Sequence, residues 1–294
     1  MTNDTVCATI NELDYICMGA IFVILETTLS IGATAPFSLV HLSDTHLAHP
    51  DGGELDEIPE KVRLADPTIP TPAERLARAV QLAREHSAQL VHTGDLTDFV
   101  SAANLVHAKR FVDESGCFVA AGNHEFRGYQ DHSFEDAAYR SRSEAMVQKA
   151  FSNNIRMDSK VINGVNLVAL DDSYYQIDDE QRAFLHEQVR KGLPIILLVH
   201  APIYEPQLFD TLMYHRDRLG LKVLAEACTY MVGVPEEKMV DYAPNRVLQQ
   251  RSDAATMETL AWIRSEPLFR AVLAGHIHCN CECQLRAGLP QYVI

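Results

Sequence analysis

Five apolar runs in this chain each stop at a short cluster of Asp, His or Asn, and that recurrence restricts the fold more than any other feature. Phe37-Ser38-Leu39-Val40-His41-Leu42 ends in Ser43-Asp44-Thr45-His46, and Gln89 to Thr93 ends in Gly94-Asp95-Leu96-Thr97-Asp98. Cys117 to Ala121 runs into Gly122-Asn123-His124-Glu125, Pro194 to Val199 into His200-Ala201-Pro202, and Leu268 to Ala274 into Gly275-His276-Ile277-His278. Apolar runs of this length, bounded by turn signals, read as buried strands. In layered α/β folds ligands collect at the carboxyl ends of strands, so five such ends point to convergence on one site. Each end alone has a plainer reading: Asp44 as a turn residue, His200 as a strand-end histidine. His41 and His92, inside strands, read as core histidines.

Between these strands the pattern is helical. Thr71-Pro72-Ala73-Glu74 is a capping box with Pro at the first helical position, followed by Leu76, Val80 and Ala83 on an inner face. A helix from Ser101 buries Leu105, Ala108 and Val112 and stops at Gly116. Ser133 with Asp136 opens a helix to about Phe151, Asp178 with Gln181 one to Gly192, and Asp253 one to Arg264. Asn163-Gly164 between Lys160-Val161-Ile162 and Val165 to Leu170 is a hairpin signal, because Asn-Gly accepts the positive φ of a type I′ turn. Cys279 to Leu285 and Gln291 to Ile294 read as two further strands joined near Gly288. The expectation is an α/β fold with a single domain over 16–294 and disorder over 1–15. Two insertions interrupt it: a functional flap at 48–70, with Asp51-Gly52-Gly53 and three prolines from Pro59 to Pro70, and an aromatic-rich cap at 204–251.

Composition narrows the function. The 294 residues are 47% hydrophobic and 22% charged, enough for a sizeable core. A formal charge of −15, with no Lys or Arg before Lys61, argues against broad binding to nucleic acid or an anionic membrane. It leaves room for a small phosphorylated substrate whose charge is met by metal ions. Seven cysteines in no regular framework suit a reducing compartment, so a cytoplasmic location is expected. Ala33-Thr34-Ala35 is similar to a signal-peptidase site, but Asp4, Glu12 and Asp14 precede it without a basic residue, and Glu26 breaks the apolar run. The alternation from Leu25 to Ile31 reads instead as an extra strand turning at Gly32. Cys279, Cys281 and Cys283 are either one face of a strand or a thiolate site; no CxxC pair accompanies them, which favours the strand.

Asp, His and Asn at the strand ends, without cysteine, suit manganese, iron or zinc. The candidates outnumber the ligands one ion needs if water also binds. A carboxylate shared between two ions resolves this, and a metal pair suits in-line displacement at phosphorus. One bridging water would lose its proton there, and a histidine outside the ligand set can protonate the leaving oxygen.

Asp44-x-His46, Gly94-Asp95-x-x-Asp98, Gly122-Asn123-His124-Glu125, His200 and Gly275-His276-x-His278 occur in the order of the calcineurin-like metallophosphoesterase superfamily, which this chain resembles from Asp44 to His278. The resemblance implies a four-layer α/β/β/α sandwich with a two-metal centre at one edge. It implies that Asp44, His46, Asp95 and His278 hold the first ion, with Asp95 bridging to a second held also by Asn123, His200 and His276. His124 would be the catalytic histidine and general acid opposite a metal-bridging hydroxide, Asp98 the carboxylate that orients it, and Glu125 a buried hydrogen-bonding support. Arg127 reads equally as a substrate phosphate contact and as a solvated surface arginine. Ala121 and Phe99 stand where protein serine/threonine phosphatases carry arginine, and Asp98 where purple acid phosphatases carry tyrosine. The pattern left is similar to the bacterial-type group that includes class III cyclic nucleotide phosphodiesterases. It implies hydrolysis of a small phosphodiester or phosphomonoester; a non-catalytic scaffold on the same fold and an inactive truncated product are the alternatives. Relatives continue past the last block with further strands, whereas this chain stops at Val293-Ile294, so an incomplete C-terminal sheet edge is expected.

Overall fold

Strand-forming runs divide the chain into two sheets. The computed structural model describes residues 5–11, 23–49, 51, 71–219, 230–239 and 242–294. Thr5–Asn11 (β1), Val23–Leu29 (β2), Ser38–Leu42 (β3), Gln89–His92 (β4) and Phe118–Val119 (β5) form a five-stranded sheet in the order β2-β1-β3-β4-β5. Met157–Ile162 (β6), Val165–Leu170 (β7), Ile195–Leu198 (β8), Phe269–Ala274 (β9), Cys281–Arg286 (β10) and Leu289–Val293 (β11) form a six-stranded sheet in the order β10-β11-β9-β8-β7-β6. In each sheet the strands that feed the polar clusters run parallel: β3, β4 and β5 in the first, β7, β8 and β9 in the second. Antiparallel pairs lie at the outer sides, β1 with β2, β6 with β7 and β10 with β11. The parallel centres bring the carboxyl ends of neighbouring strands side by side.

Three apolar layers hold this together. Leu39, Val91, Phe118 and Ala120 of the first sheet meet Leu167, Ala169, Ile196, Leu198, Ala271 and Leu273 of the second. Pro72–Glu85 (α1) and Ala102–Ser115 (α2) cover the outer face of the first sheet through Leu76, Ala79, Leu82, Leu105, Ala108 and Val112. The second sheet is covered by Asp179–Arg190 (α5, numbered after two short helices described below) through Leu185, and by Ala254–Ser265 (α8) through Leu260 and Ile263. These are the four layers of an α/β/β/α sandwich. No helix among the described residues is long and apolar enough to cross a membrane.

Local chemistry set many of the boundaries. Thr71 and Glu74 exchange both capping-box hydrogen bonds, as do Asp178 and Gln181. Asn163 and Gly164 turn the β6–β7 hairpin at φ 46° and 77°. Other expectations are corrected. The single helix over 133–151 is broken into Ala137–Ser141 (α3), Glu144–Val147 (α4) and a 3-10 turn, Gln148–Ala150. The break falls where the Ser143 hydroxyl donates to the Phe126 carbonyl at 3.2 Å, an alternative to helical bonding. Thr5–Asn11, expected within a disordered 1–15, is strand β1, running between β2 and β3 and giving β3 a partner on its outer side. The last strand, β11, is paired with β9 and β10, and among the described residues β10 is the outermost strand on that side of the sheet. The flap at 48–70 lies almost wholly outside the described residues. Of the cap, the described parts include Pro206–Leu219 (α6), a 3-10 turn at Glu236–Lys238 and Pro244–Gln250 (α7).

Candidate metal centre

At the carboxyl ends of the parallel strands the backbone is bent into conformations that side chains ordinarily avoid. Asp44, His46, Asp95, His276 and His278 all have positive φ, between 48° and 71°. Such strain persists where surrounding structure over-determines it, and it concentrates at functional sites. The loops also approach too closely for side chains at two glycines. A Cβ on Gly122 would overlap Asp95 Oδ1, and one on Gly275 would overlap Ser43 Oγ and Asp44 Oδ2.

The predicted residues fall into two sets. In the first, His278 Nε2 is 3.2 Å from Asp44 Oδ1 and 3.4 Å from His46 Nε2, and His46 Nε2 is 3.9 Å from Asp44 Oδ1. In the second, His200 Nε2 is 3.2 Å from Asp95 Oδ2 and 3.0 Å from His276 Nδ1. Asp95 Oδ2 lies between the sets, being also 3.8 Å from His46 Nε2. Donors about 2.1 Å from one ion stand about 3 to 3.5 Å apart, so each set has the spacing of a shared cation. His46, Asp95 and His124 form a third possible group. Asn123 is carried on the same loop as His124, whose backbone N–H donates to Asp95 Oδ1 at 2.9 Å.

The ring nitrogens not turned inward are held from behind. His46 Nδ1 is 3.0 Å from Asp98 Oδ1, His200 Nδ1 is 2.7 Å from the Thr93 carbonyl, and His276 Nε2 is 2.8 Å from the Tyr175 hydroxyl. With those outer nitrogens protonated, the inner nitrogens of His200 and His276 confront one another as lone pairs in the neutral rings. A cation between them relieves that contact. So does a proton: burial works against charge on His200, but Asp95 and Asp44 outweigh it and raise the group to about 10. His276, buried and beside His200, is pushed well below the usual imidazole range.

Two buried oxygens support a cation further. Asn123 Oδ1 has no hydrogen-bond partner among the described residues, and Asp44 Oδ1 makes no well-aligned one, the His278 imidazole lying 3.2 Å away. Buried acceptors are rarely left so, and both belong to the candidate ligand set. The donors present, carboxylate, amide oxygen and imidazole, fit a hard or borderline divalent ion.

His124 stands apart. Its Nδ1 is 2.8 Å from the Asp98 carbonyl and 3.1 Å from Asp98 Oδ1, and its Nε2 is 4.0 Å from Asp95 Oδ2. Burial opposes its charge, yet Asp95 and Asp98 raise it to about 9. Asp98 is half-buried, which opposes its charge, but bonds from His124 and His46 hold it well below the usual carboxylate range. Arg127 Nη1 is 3.4 Å from His124 Nε2. Glu125 accepts from the backbone N–H of Asp95 at 2.7 Å, Thr97 at 3.0 Å and Gly122 at 2.7 Å, tying two strand-end loops together. His41 and His92 are core groups: His41 Nε2 contacts Thr93 Oγ1 at 2.8 Å, and His92 bonds Thr45 and the Gly94 N–H. Burial drives both down to about 3. Cys279 and Cys281 hold their sulfurs 3.9 Å apart against the core, and Cys283 lies 3.4 Å from Gln291 Nε2.

Two residues that serve the site escape a reading of the sequence. Asp172 Oδ1 accepts from the backbone N–H groups of His200 and Ala201 at 2.9 and 3.1 Å, and Tyr175 holds His276. The signal for Asp172 was present: β7 also ends in acidic residues, Asp171-Asp172. Asp171 serves structure, accepting from Arg140 at 3.1 Å and Arg156 at 2.9 Å.

Two solved structures are similar. A dimetal phosphatase from Danio rerio is 13% identical over 87% of this chain and 86% of its own, with a TM-score of 0.48. A phosphopantetheinyl hydrolase from Mycobacterium tuberculosis is 13% identical over 87% and 88%, with a TM-score of 0.40. At those scores neither bears on substrate or mechanism. No curated protein matches the sequence. The model of the calcineurin-like phosphoesterase family matches residues 37–280, a span that takes in all five strand-end clusters. The chain therefore belongs to the calcineurin-like phosphoesterase family and is a metal-dependent phosphoric ester hydrolase.

Proposed function

We propose that the protein hydrolyses a small phosphodiester or phosphomonoester with two ions of manganese, iron or zinc. Asp44, His46, Asp95 and His278 hold one ion, and Asp95, Asn123, His200 and His276 hold the other. The observation that carries this reading is Asp95 Oδ2, a single oxygen 3.8 Å from His46 Nε2 of one set and 3.2 Å from His200 Nε2 of the other. Bound there, the ions supply positive charge to the phosphoryl oxygens and acidify water near neutral pH.

The chain's own groups supply the remainder. His124 carries its proton on Nε2 toward the leaving-group oxygen and donates it as that oxygen gains charge. Asp98 fixes the ring at Nδ1 and the same carboxylate oxygen fixes His46, so acid and ligand are oriented together. The contact between Arg127 Nη1 and His124 Nε2 favours the phosphate-contact reading of Arg127, because an oxygen within reach of the imidazole is within reach of the guanidinium. Glu125 supports the loops and touches no substrate.

The test pairs metal analysis with turnover of 4-nitrophenyl phosphate and bis(4-nitrophenyl) phosphate. Two ions per chain with turnover that vanishes on chelation is the expected result. Metal without turnover on either ester is the behaviour of a scaffold. Undiminished turnover in thoroughly metal-stripped protein would overturn the mechanism.

A further inference from the structure

A chain of polar contacts leaves the metal centre at His124 and returns to it at His276. Arg127, beside His124, has its Nε 4.0 Å from Glu135 Oε1. The other oxygen of Glu135 accepts from Gln249 Nε2 at 2.9 Å, and Gln249 Oε1 accepts from Arg246 Nη1. The Arg246 guanidinium lies over the Tyr230 ring, 4.7 Å from its centre, and that ring is 6.3 Å from the His276 ring. Gln249 and Arg246 both belong to α7, so this short helix closes a rim around the two candidate ion sites.

Charge on the rim does not balance. Arg127 lies beside the one carboxylate of this chain of contacts, Glu135, while Arg246 reaches it only through Gln249. No carboxylate oxygen among the described residues lies within 4.0 Å of an Arg246 nitrogen. Arg110 pairs with Glu114 at 2.9 Å, and Arg251, just past the end of α7, pairs with Glu236 at 2.7 Å; Arg264 and Arg286 have no such pair among the described residues but give N–H groups to backbone carbonyls, at Tyr204 and at Glu266 and Phe269. Arg246 is half-buried, and withdrawing a charge from water without a counter-ion is costly unless an anion arrives. Along this chain of contacts two guanidinium groups, Arg127 and Arg246, stand against one carboxylate, Glu135, in a protein whose formal charge is −15.

We infer that Arg246 binds a second anionic group of the substrate, so that the preferred phosphoester carries a further phosphate or carboxylate on its His276 side. This rests on the hydrolytic reading of the site given above. Arg246 determines specificity and is not catalytic, since the Tyr230 ring separates it from His276. Glu135 offsets the charge of Arg127 beside it, which leaves the Arg246 guanidinium for the second anion.

The test is a calorimetric titration of the manganese-loaded protein with methyl phosphate, 2-phosphoglycolate and 1,3-propanediol bisphosphate. Wild type should bind one or both doubly anionic compounds at least about tenfold more tightly than methyl phosphate, the scale of a charge-assisted hydrogen bond. The two arms separate carboxylate from phosphate as the second group. Arg246→Ala should bring the ratio below about threefold, and Arg246→Lys should keep part of it because the point charge remains. Arg246→Gln, which retains a stem over Tyr230, is the second variant if alanine impairs folding. Arg110→Ala controls for loss of charge and should leave the ratio unchanged. Equal ratios in wild type and Arg246→Gln, or no preference in wild type, overturn the inference. Absence of aryl phosphate turnover with two ions bound overturns the hydrolytic reading instead, and the binding ratio still decides Arg246.

Discussion

The half of the centre built on the first sheet and the half built on the second are supported differently. Loops after β3, β4 and β5 are fastened to one another by two carboxylates, one buried and one half-buried. Glu125 takes three backbone N–H groups from two of these loops, and Asp98 holds both His46 and His124. In the second-sheet half Asp172 holds the backbone of the His200 loop, but among the described residues no carboxylate meets the outer ring nitrogens of His200 and His276. His200 leans on a carbonyl of the opposite sheet, at Thr93, and His276 on a neutral phenol, Tyr175. Tyr175 is itself at φ 61°, with its carbonyl bonded by Ser252 Oγ at 2.9 Å, next to the helix that carries Arg246. The lesson is that the first half is organised by its own loops, while the second depends on how the sheets and the cap meet it.

The largest effect should come where the halves join. Asp95→Asn is expected to lower kcat/KM by about a thousandfold or more, because it weakens the carboxylate proposed to be shared by both ions. An active Asp95→Asn protein holding two ions would break the comparison at its pivot. His124→Ala should cost about a hundredfold or more in turnover, the usual worth of a general acid, with metal content unchanged. Loss of metal in that variant would make His124 a ligand and merge the two sets around His46 and Asp95.

Tyr175→Phe sharpens the contrast between the halves. It is expected to weaken the second ion by about tenfold to a hundredfold while the first is held as in wild type, since removing an outer partner of a ligating histidine has that cost. Manganese titration followed by electron paramagnetic resonance distinguishes a coupled pair from a single ion; equal weakening of both would show that the halves are not independent. Glu125→Gln is expected to act on stability instead. Its amide sets N–H against N–H at the loop bonds and should cost about 2 kcal/mol or more in urea unfolding. An unchanged midpoint would mean that the first-sheet loops do not need this carboxylate.

The sequence by itself determined the strands other than β1, most helix caps, the Asn163-Gly164 turn and the identity of the converging side chains. These signals are local: apolar runs, a Thr or Asp three residues before Glu or Gln, a cluster at a strand's end. Only the tertiary structure decided that Asp98 serves two histidines, that Tyr175 stands behind His276, and that Arg246 lacks a carboxylate partner among the described residues. Asp98 lies 52 residues from His46, and Tyr175 lies 101 from His276. No periodicity links residues that far apart; packing of the two sheets chooses the partners, and burial decides which of them must be satisfied.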